Sequence, residues 1–188
     1  DDVIATFAKQ AFIKGQDCLI VSSDKDLMQL VNKHVKLLDP MKNTVIGDEE
    51  VQQKFGVFPD RVVDVQALAG DSSDNVPGVP GIGIKTAAEL INQFGDLEAL
   101  LAQAETIKQP KRRENLVQFA DQARLSQQLV LLRDDVPVDM QISELILPEL
   151  DRKKLHSFLV EQGFKSLAVS LGYAEQTRER PFIDPAST

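Results

Sequence analysis

A glycine- and proline-rich segment at residues 70–85 constrains the fold of this chain more than any other feature. It reads GDSSDNVPGVPGIGIK, and its four glycines and two prolines exclude a continuous helix or strand. Gly81 and Gly83 permit a tight turn that leaves backbone N–H groups open to a phosphate. Asp71 and Asp74 precede that turn and offer carboxylate oxygens to a divalent metal. The segment therefore joins a predicted metal-binding loop to a hairpin of the helix-hairpin-helix type.

Upstream of this segment, the apolar pattern alternates between helix and strand. The predicted elements are a helix over 4–12, a strand over Cys18–Val21, a helix over Leu27–Val31, strands over Val35–Leu38 and Thr44–Ile46, and two helices that begin at the capping residues Asp48 and Asp60 and end at Gly56 and Gly70. The short, wholly apolar strand that starts at Cys18 is typical of a buried strand in a parallel sheet. The first third of the chain is therefore predicted to be α/β.

Downstream of the segment, the pattern is almost wholly helical. Helices are predicted over Lys85–Phe94, Asp96–Gln103, Lys111–Gln128 and Asp151–Gln162. The last residues show no periodicity and are typical of a linker. We therefore predict three parts, which are an α/β part at 1–74, a helical part with the hairpin at 75–174 and a tail at 175–188.

The overall composition does not favour nucleic acid. The chain has 21 Lys and Arg against 29 Asp and Glu, a net charge of -8, so any contact with DNA has to be local. Its one cysteine excludes an intramolecular disulfide and fits a reducing compartment. No apolar run reaches membrane-spanning length, and we expect a cytoplasmic protein without a membrane partner.

Paired carboxylates occur at three predicted element boundaries. The pairs are Asp1 with Asp2, Asp24 with Asp26, and Asp71 with Asp74. Asp24 and Asp26 follow the carboxyl end of the apolar strand, where open α/β sheets place their ligand sites. Clustered carboxylates repel one another, and a cation makes such a cluster tolerable. Their hard oxygen ligands favour Mg²⁺ or Mn²⁺, and two such ions about 4 Å apart are the arrangement that supports in-line phosphodiester displacement.

Each pair taken alone also has a structural interpretation. Taken alone, Asp24 is more typical of a residue that caps the helix after it, because such caps are common. Asp1 and Asp2 fit the first turn of a helix, where negative charge is favourable. Asp71 and Asp74 are common turn formers. The metal interpretation depends on finding three pairs in one chain, one of them joined to a phosphate-binding hairpin.

Basic residues follow the hairpin and are candidates for local contact with a phosphate strand. The predicted DNA-binding set is Gly81, Ile82, Gly83, Lys85, Thr86, Lys111, Arg112 and Arg113. The run at 111–113 fits a solvated helix face equally well. Contacts of this kind position a backbone and do not read base sequence.

Three motifs together resemble those of a known family. They are Asp1-Asp2-Val3-Ile4, the run Ser23-Asp24-Lys25-Asp26-Leu27-Met28-Gln29-Leu30, and residues 70–83, and the similarity continues through 94–101 to nearly the whole chain. The chain resembles the 5′-nuclease domain of bacterial DNA polymerase I, a member of the flap endonuclease family. The fold implied is part of a parallel-sheet metal-nuclease core, followed by a largely helical region with a helix-hairpin-helix motif.

The resemblance also implies roles for the acidic residues and the hairpin. Asp1, Asp24, Asp26 and Asp74 match catalytic positions, and Asp1, Asp2, Asp24, Asp26, Asp71 and Asp74 match metal-site positions, with two Mg²⁺ or Mn²⁺ ions in a complete domain. The implied partner is DNA with a 5′ flap, nick or branch. A K⁺ ion is implied at Gly81, Ile82 and Gly83, with Ser72 or Ser73 nearby.

The implied activity is structure-specific 5′–3′ exonuclease and flap-endonuclease cleavage in DNA replication and repair. The family's domain carries further acidic residues and a basic helical arch ahead of the position that matches Asp1. We therefore expect this chain to be the carboxyl-terminal part of such a domain, monomeric and weakly active or inactive alone. The resemblance also implies a fused polymerase region in the parent protein.

Two other function classes fit parts of the same sequence. A non-catalytic module could bind duplex or branched DNA through the hairpin alone, without divalent metal. A PIN-type ribonuclease would share the α/β metal core and prefer RNA, but it would normally lack the hairpin.

Overall fold

The computed structural model describes residues 1–173, and the chain divides into two compact units between residues 144 and 145. The first unit contains helices α1 (Asp2–Ile13), α2 (Asp48–Phe55), α3 (Val62–Ala69), α4 (Ile84–Phe94), α5 (Leu97–Ala102), α6 (Pro110–Gln118) and α7 (Ala120–Val130), and strands β1 (Cys18–Val21), β2 (Val35–Asp39) and β3 (Thr44–Ile46). Short 3₁₀ helices lie at Asp26–Leu30, Pro59–Arg61, Ala104–Thr106 and Ile142–Glu144. The predicted class, an α/β core followed by a helical region, is confirmed.

The three strands form one sheet in the order β1-β2-β3. β1 pairs in parallel with β2, and β2 pairs antiparallel with β3, so that Leu37 lies between Ile20 and Ile46. These three side chains are buried in the core, whereas Leu19 and Val21 are exposed on the other face. The predicted parallel pairing of β1 is confirmed, but its predicted burial is not, because Ile20 is the one β1 side chain that is buried.

Helix α3 lies at the centre of the helical region. It packs against α4 and α7, and most of its residues are buried, including Leu68. A helix that is enclosed in this way carries apolar residues around most of its circumference. Ile91 of α4, Leu116 of α6 and Ala123 of α7 join the same core as the sheet residues. The loop that follows α3 therefore starts from a rigid base.

Several predicted boundaries were wrong for local reasons. The predicted helix at Leu27 is a 3₁₀ helix. Gly47, not Asp48, is the N-cap of α2, and its N–H donates to Glu50 Oε2 (2.8 Å). Asp60 lies in a 3₁₀ turn that begins at Pro59, and α3 begins afterwards.

The predicted helix at 111–128 is two helices. Phe119 packs against the core, and its backbone dihedral angles (φ -107° and ψ 21°) are not those of an α-helix, so the helix is interrupted there. Tertiary packing thus overrides the local preference for one long helix. Other helix boundaries are confirmed: Gly56 ends α2 in the left-handed conformation (φ 75°), and Asp96 caps α5 by accepting a hydrogen bond from the N–H of Ala99.

The second unit begins at residue 145 and contains α8 (Arg152–Glu161) and α9 (Lys165–Ser170). Asp151 caps α8, and the predicted helix at 151–162 therefore starts where it was expected. The predicted tail at 175–188 lies outside the described residues. Over residues 1–173, none of the helices combines the length and apolar character needed to cross a membrane.

Candidate metal centre and phosphate-binding hairpin

Three carboxylates come together where β1 and α3 end. Asp26 begins the 3₁₀ helix after β1, and Asp71 and Asp74 lie in the loop after α3. One oxygen from each lies within 4.8 Å of the others. This grouping of hard, anionic oxygen donors from two distant parts of the chain fits a divalent cation.

The loop that carries two of these carboxylates is closed on itself. The N–H of Asp71 donates to the carbonyl of Val76 (2.9 Å), and the N–H of Val76 donates back to the carbonyl of Asp71 (2.7 Å). The carboxylate of Asp71 also accepts a hydrogen bond from the N–H of Ser73 (2.8 Å). Asn75 takes the left-handed conformation (φ 56°), which Asn tolerates better than most residues. The closed loop, here called the acidic loop (residues 71–76), leaves Asp74 exposed.

Lys25 neutralises part of this group. Its ammonium forms an ion pair with Asp71 Oδ2, and the Asp71 side chain is only 6% exposed. The hydrogen bond from Lys25 lowers the pKa of Asp71, although burial opposes this effect. The same contact raises the pKa of Lys25. Asp71 is therefore held as a carboxylate that already has one cationic partner.

Asp26 differs from Asp71 because burial, and not a cationic partner, has the largest effect on its pKa. Burial raises the pKa of Asp26, and the hydrogen bond from the Gln66 amide to Asp26 Oδ1 opposes that rise. Gln66 itself is 3% exposed, and its Oε1 has no hydrogen-bond partner within residues 1–173. A half-buried carboxylate with a raised pKa, such as Asp26, gains from a nearby cation, because the cation favours the charged form.

The other predicted metal residues lie outside this three-carboxylate group. Asp24 Oδ1 accepts a hydrogen bond from the N–H of Asp26 (2.9 Å), but the N-cap of the 3₁₀ helix is Lys25 and not Asp24, as the capping interpretation would require. Asp2, in the first turn of α1, accepts one from the N–H of Arg133 (2.9 Å), and Asp1 is the exposed N-cap of α1. Metal binding by these three residues remains a prediction.

The hairpin lies directly before α4. Gly81 is exposed and left-handed (φ 78°), and Gly83 is the N-cap of α4. Ile82 is buried, and its N–H donates to the carbonyl of Val79 (3.1 Å). In the described part of the chain, the N–H groups of Gly81 and Gly83 donate to no acceptor. They remain available to an anion at the start of an 11-residue helix.

The predicted basic residues are divided between two helices. Lys85 is exposed in the first turn of α4, where Thr86 is half-buried. Lys111 forms an ion pair with Glu114 on α6, and Arg113 donates to the carbonyl of Ile107. Arg112 is half-buried in the same turn. Binding of DNA by any of these side chains remains a prediction.

Sequence reasoning missed Lys25 and Gln66. Lys25 stands between Asp24 and Asp26, so its position in the acidic motif was a usable signal. Gln66 lies within α3, 40 residues from Asp26, and nothing in the local pattern distinguishes it from an ordinary helix residue.

A three-stranded α/β core, a cluster of carboxylates and a helical region with a glycine hairpin define the fold and the site. Two family models match this arrangement: the 5′–3′ exonuclease N-terminal resolvase-like domain over residues 1–56, and the 5′–3′ exonuclease C-terminal SAM fold over residues 57–153. The chain belongs to the 5′–3′ exonuclease family.

The curated relatives include DNA polymerase I proteins and a separate exonuclease. DNA polymerase I of Rhizobium leguminosarum is 52% identical over 167 residues, which cover 89% of this chain and 16% of that protein. DNA polymerase I of Bacillus caldotenax is 37% identical and covers 100% of this chain, which spans 22% of it. The 5′–3′ exonuclease of Buchnera aphidicola is 37% identical over 85% of this chain and 58% of its own length. The chain thus spans only a minor part of the polymerase relatives.

Solved structures share the fold at low sequence identity. A T5 5′-exonuclease with bound zinc ions superposes with a TM-score of 0.66 and 22% identity, over 70% of this chain and 49% of the other. The catalytic core of Rad2 in complex with DNA substrate gives a TM-score of 0.53 and 17% identity, over 90% and 60% of the two chains. At these identities the likeness establishes the fold.

Proposed function

We propose that this chain acts in a structure-specific 5′–3′ exonuclease and flap endonuclease that hydrolyses DNA phosphodiester bonds with Mg²⁺ or Mn²⁺. The observation that carries the proposal is the continuity between the three-carboxylate group and the hairpin. Asp74 and Gly81 are seven positions apart in one ordered segment, so a metal and a DNA backbone would be held by the same piece of chain.

Asp26, Asp71 and Asp74 would hold the metal, with Asp24, Asp1 and Asp2 as further ligands. The donor set fits Mg²⁺ or Mn²⁺ because it consists of carboxylate oxygens without histidine or thiolate. Bound ions, two in a complete site, would activate water and stabilise the leaving oxygen of a phosphodiester. The T5 neighbour is described with divalent metal ions, which supports this part of the proposal.

Gly81 and Gly83 would bind the DNA backbone through their N–H groups, with Lys85 supplying positive charge beside them. A K⁺ ion at the hairpin belongs to the same proposal. The Rad2 neighbour is described in complex with a DNA substrate, which supports DNA as the partner. For the whole protein, we propose a monomer with a role in replication and repair and a fused polymerase region, because several relatives are DNA polymerase I.

Cleavage of a 5′-flap DNA by the 188-residue chain tests the proposal. With protein in excess over substrate and Mn²⁺ present, we expect slow release of a 5′ product that EDTA abolishes. Asp74→Asn should remove the activity, whereas Asp121→Asn, a fully exposed carboxylate on α7, should retain it. Cleavage that resists EDTA, or equal cleavage by Asp74→Asn and the wild type, would contradict the proposal.

The Lys25–Asp71 ion pair favours a second candidate, a DNA-binding module that works without metal. Part of the acidic charge is already neutralised, so the hairpin can remain ordered in the absence of a cation. This candidate predicts duplex binding in EDTA that survives Asp26→Asn and is lost in Gly83→Ala. No protein atom lies within 4 Å of the Cβ that Gly83→Ala adds, so a loss of DNA binding in this variant would not come from a steric clash within the protein. A preference for RNA would instead favour a PIN-type ribonuclease.

A further inference from the structure

Gly78 is the junction between the acidic loop and the hairpin. It lies two residues after Val76, which closes the acidic loop, and two residues before Pro80, where the hairpin begins. Its φ of +60° is left-handed, and an added Cβ would overlap the backbone of Ala69 and Gly70. The segment therefore crosses itself at Gly78, with no room for a side chain.

Two side chains of α7 hold both polar groups of this junction. The N–H of Gly78 donates to Ser126 Oγ (3.1 Å), and the Gln122 amide donates to the carbonyl of Gly78 (2.6 Å). Ser126 is 0% exposed. One residue later, the N–H of Val79 donates to the carbonyl of Leu68 in α3 (2.8 Å). The junction is thus fixed between two helices of the core.

A third contact reaches only the hairpin. Asn115 of α6 is 9% exposed, and its amide donates to the carbonyl of Pro80 (2.7 Å). This carbonyl lies on the hairpin side of the junction. The acidic loop has its own closing bonds between Asp71 and Val76, so Asn115 supports the hairpin without supporting that loop.

We infer that Gln122 and Ser126 are positioning residues that set the acidic loop and the phosphate-binding hairpin together, through their shared junction at Gly78. Both residues belong to α7, outside the three-carboxylate group and the hairpin. Each satisfies a backbone group of the junction, and losing that partner leaves a polar group without compensation in a packed environment. The junction then shifts, and the carboxylates of the acidic loop and the N–H groups of the hairpin move with it.

This inference rests on the proposed function, because it concerns how the proposed metal and DNA sites are held. It makes a distinction between the three contacts. Gln122→Ala and Ser126→Ala should each weaken the binding of both metal and DNA, whereas Asn115→Ala should weaken the binding of DNA alone. A simple loss of stability would not separate the ligands in this way.

The experiment measures two dissociation constants for each variant, one for Mn²⁺ without DNA and one for a 5′-flap DNA in EDTA. We expect Gln122→Ala and Ser126→Ala to weaken each by about threefold to tenfold, the size expected from losing one hydrogen bond. Asn115→Ala should weaken DNA binding to a similar degree and leave Mn²⁺ binding unchanged.

Gln127→Ala is the matched control. It removes a hydrogen bond from the same helix, between Gln127 Nε2 and Asp64 Oδ1 (2.7 Å), that does not involve Gly78. We expect a lower melting temperature and unchanged affinities for both ligands. Provided that the wild type binds both ligands, two results would overturn the inference. In one, Gln122→Ala and Ser126→Ala lose affinity for one ligand but not for the other; in the other, they keep both affinities, as Gln127→Ala should. A wild-type chain that binds neither ligand would instead overturn the proposed function.

Discussion

At the scale of single residues, the site depends on how each carboxylate is compensated. Lys25 compensates Asp71 by a direct ion pair, and Gln66 compensates Asp26 by a neutral hydrogen bond. The hydrogen bond from Lys25 lowers the pKa of Asp71, whereas burial raises the pKa of Asp26 and the hydrogen bond from Gln66 only opposes that rise. The carboxylates themselves were predictable, because acidic pairs at element boundaries are visible in the sequence. Gln66 was not, because only the tertiary fold brings α3 beside Asp26.

Replacing Lys25 with Met should leave Asp71 as a buried carboxylate without its cation. We expect the free energy of unfolding at pH 7 to fall by about 1–2 kcal/mol, a discounted value because Lys25 is partly exposed. Since the folded-state pKa of Asp71 is lowered, this contribution is present above about pH 4 and is lost as the pH falls through the lowered pKa. Urea denaturation of both proteins at several pH values measures it. A difference between the two proteins that does not shrink as the pH is lowered would contradict this account.

Asp64 should show the opposite dependence on pH. It is 6% exposed, and burial raises its pKa despite the hydrogen bond from Gln127. A carboxyl with a raised folded-state pKa binds its proton more tightly in the folded chain, so it disfavours folding as the pH rises through that pKa. Relative to Asp64→Asn, the wild type should therefore gain stability as the pH falls from 7 towards 4. Thermal unfolding of both proteins across this range measures the difference, and a constant difference would contradict the prediction.

At the scale of elements, apolar period and glycine positions predicted most strands and helices. β1 and β3 were predicted with their observed bounds, and α2 ends at Gly56 as expected. The break at Phe119 was not predictable, because it arises when one side chain packs against residues far away in the sequence. The predictions of N-caps at Asp48 and Asp60 were wrong for a local reason: the preceding residue, Gly47, caps α2, and a 3₁₀ turn that begins at Pro59 precedes α3.

The contact between α2 and α4 can be tested through Gly56. A Cβ at Gly56 would lie 2.8 Å from Ala88 Cβ, whereas a Cβ at Gly15, also left-handed, meets no atom within 4 Å. Gly15→Ala should cost about 1 kcal/mol of backbone strain. Gly56→Ala should cost about 1–3 kcal/mol more, because it also overpacks the helix interface. Denaturant unfolding of both variants measures the two losses of stability. Equal losses would contradict the prediction, because they would mean that α2 and α4 move apart at no cost in free energy.

At the scale of the whole molecule, a chain of net charge -8 is proposed to bind both a cation and a polyanion. Both are consistent with the fold, because three carboxylates converge at one site for the cation, and the hairpin offers backbone N–H groups to the polyanion rather than net charge. The sequence predicted this division between acidic loop and hairpin. It did not reveal that both depend on Gly78 and on α7, because those contacts join residues more than 40 positions apart.

Binding of Mn²⁺ to the 188-residue chain tests the central claim most directly, and isothermal calorimetry measures it without any need for catalysis. We predict that the wild type binds Mn²⁺ and that Asp26→Asn combined with Asp74→Asn weakens binding by at least about tenfold, as the loss of two charged ligands requires. Asp121→Asn, which removes an exposed carboxylate elsewhere, should bind as the wild type does. Equal binding by the double variant and the wild type, or no binding by the wild type, would contradict the claim that these carboxylates form a metal site.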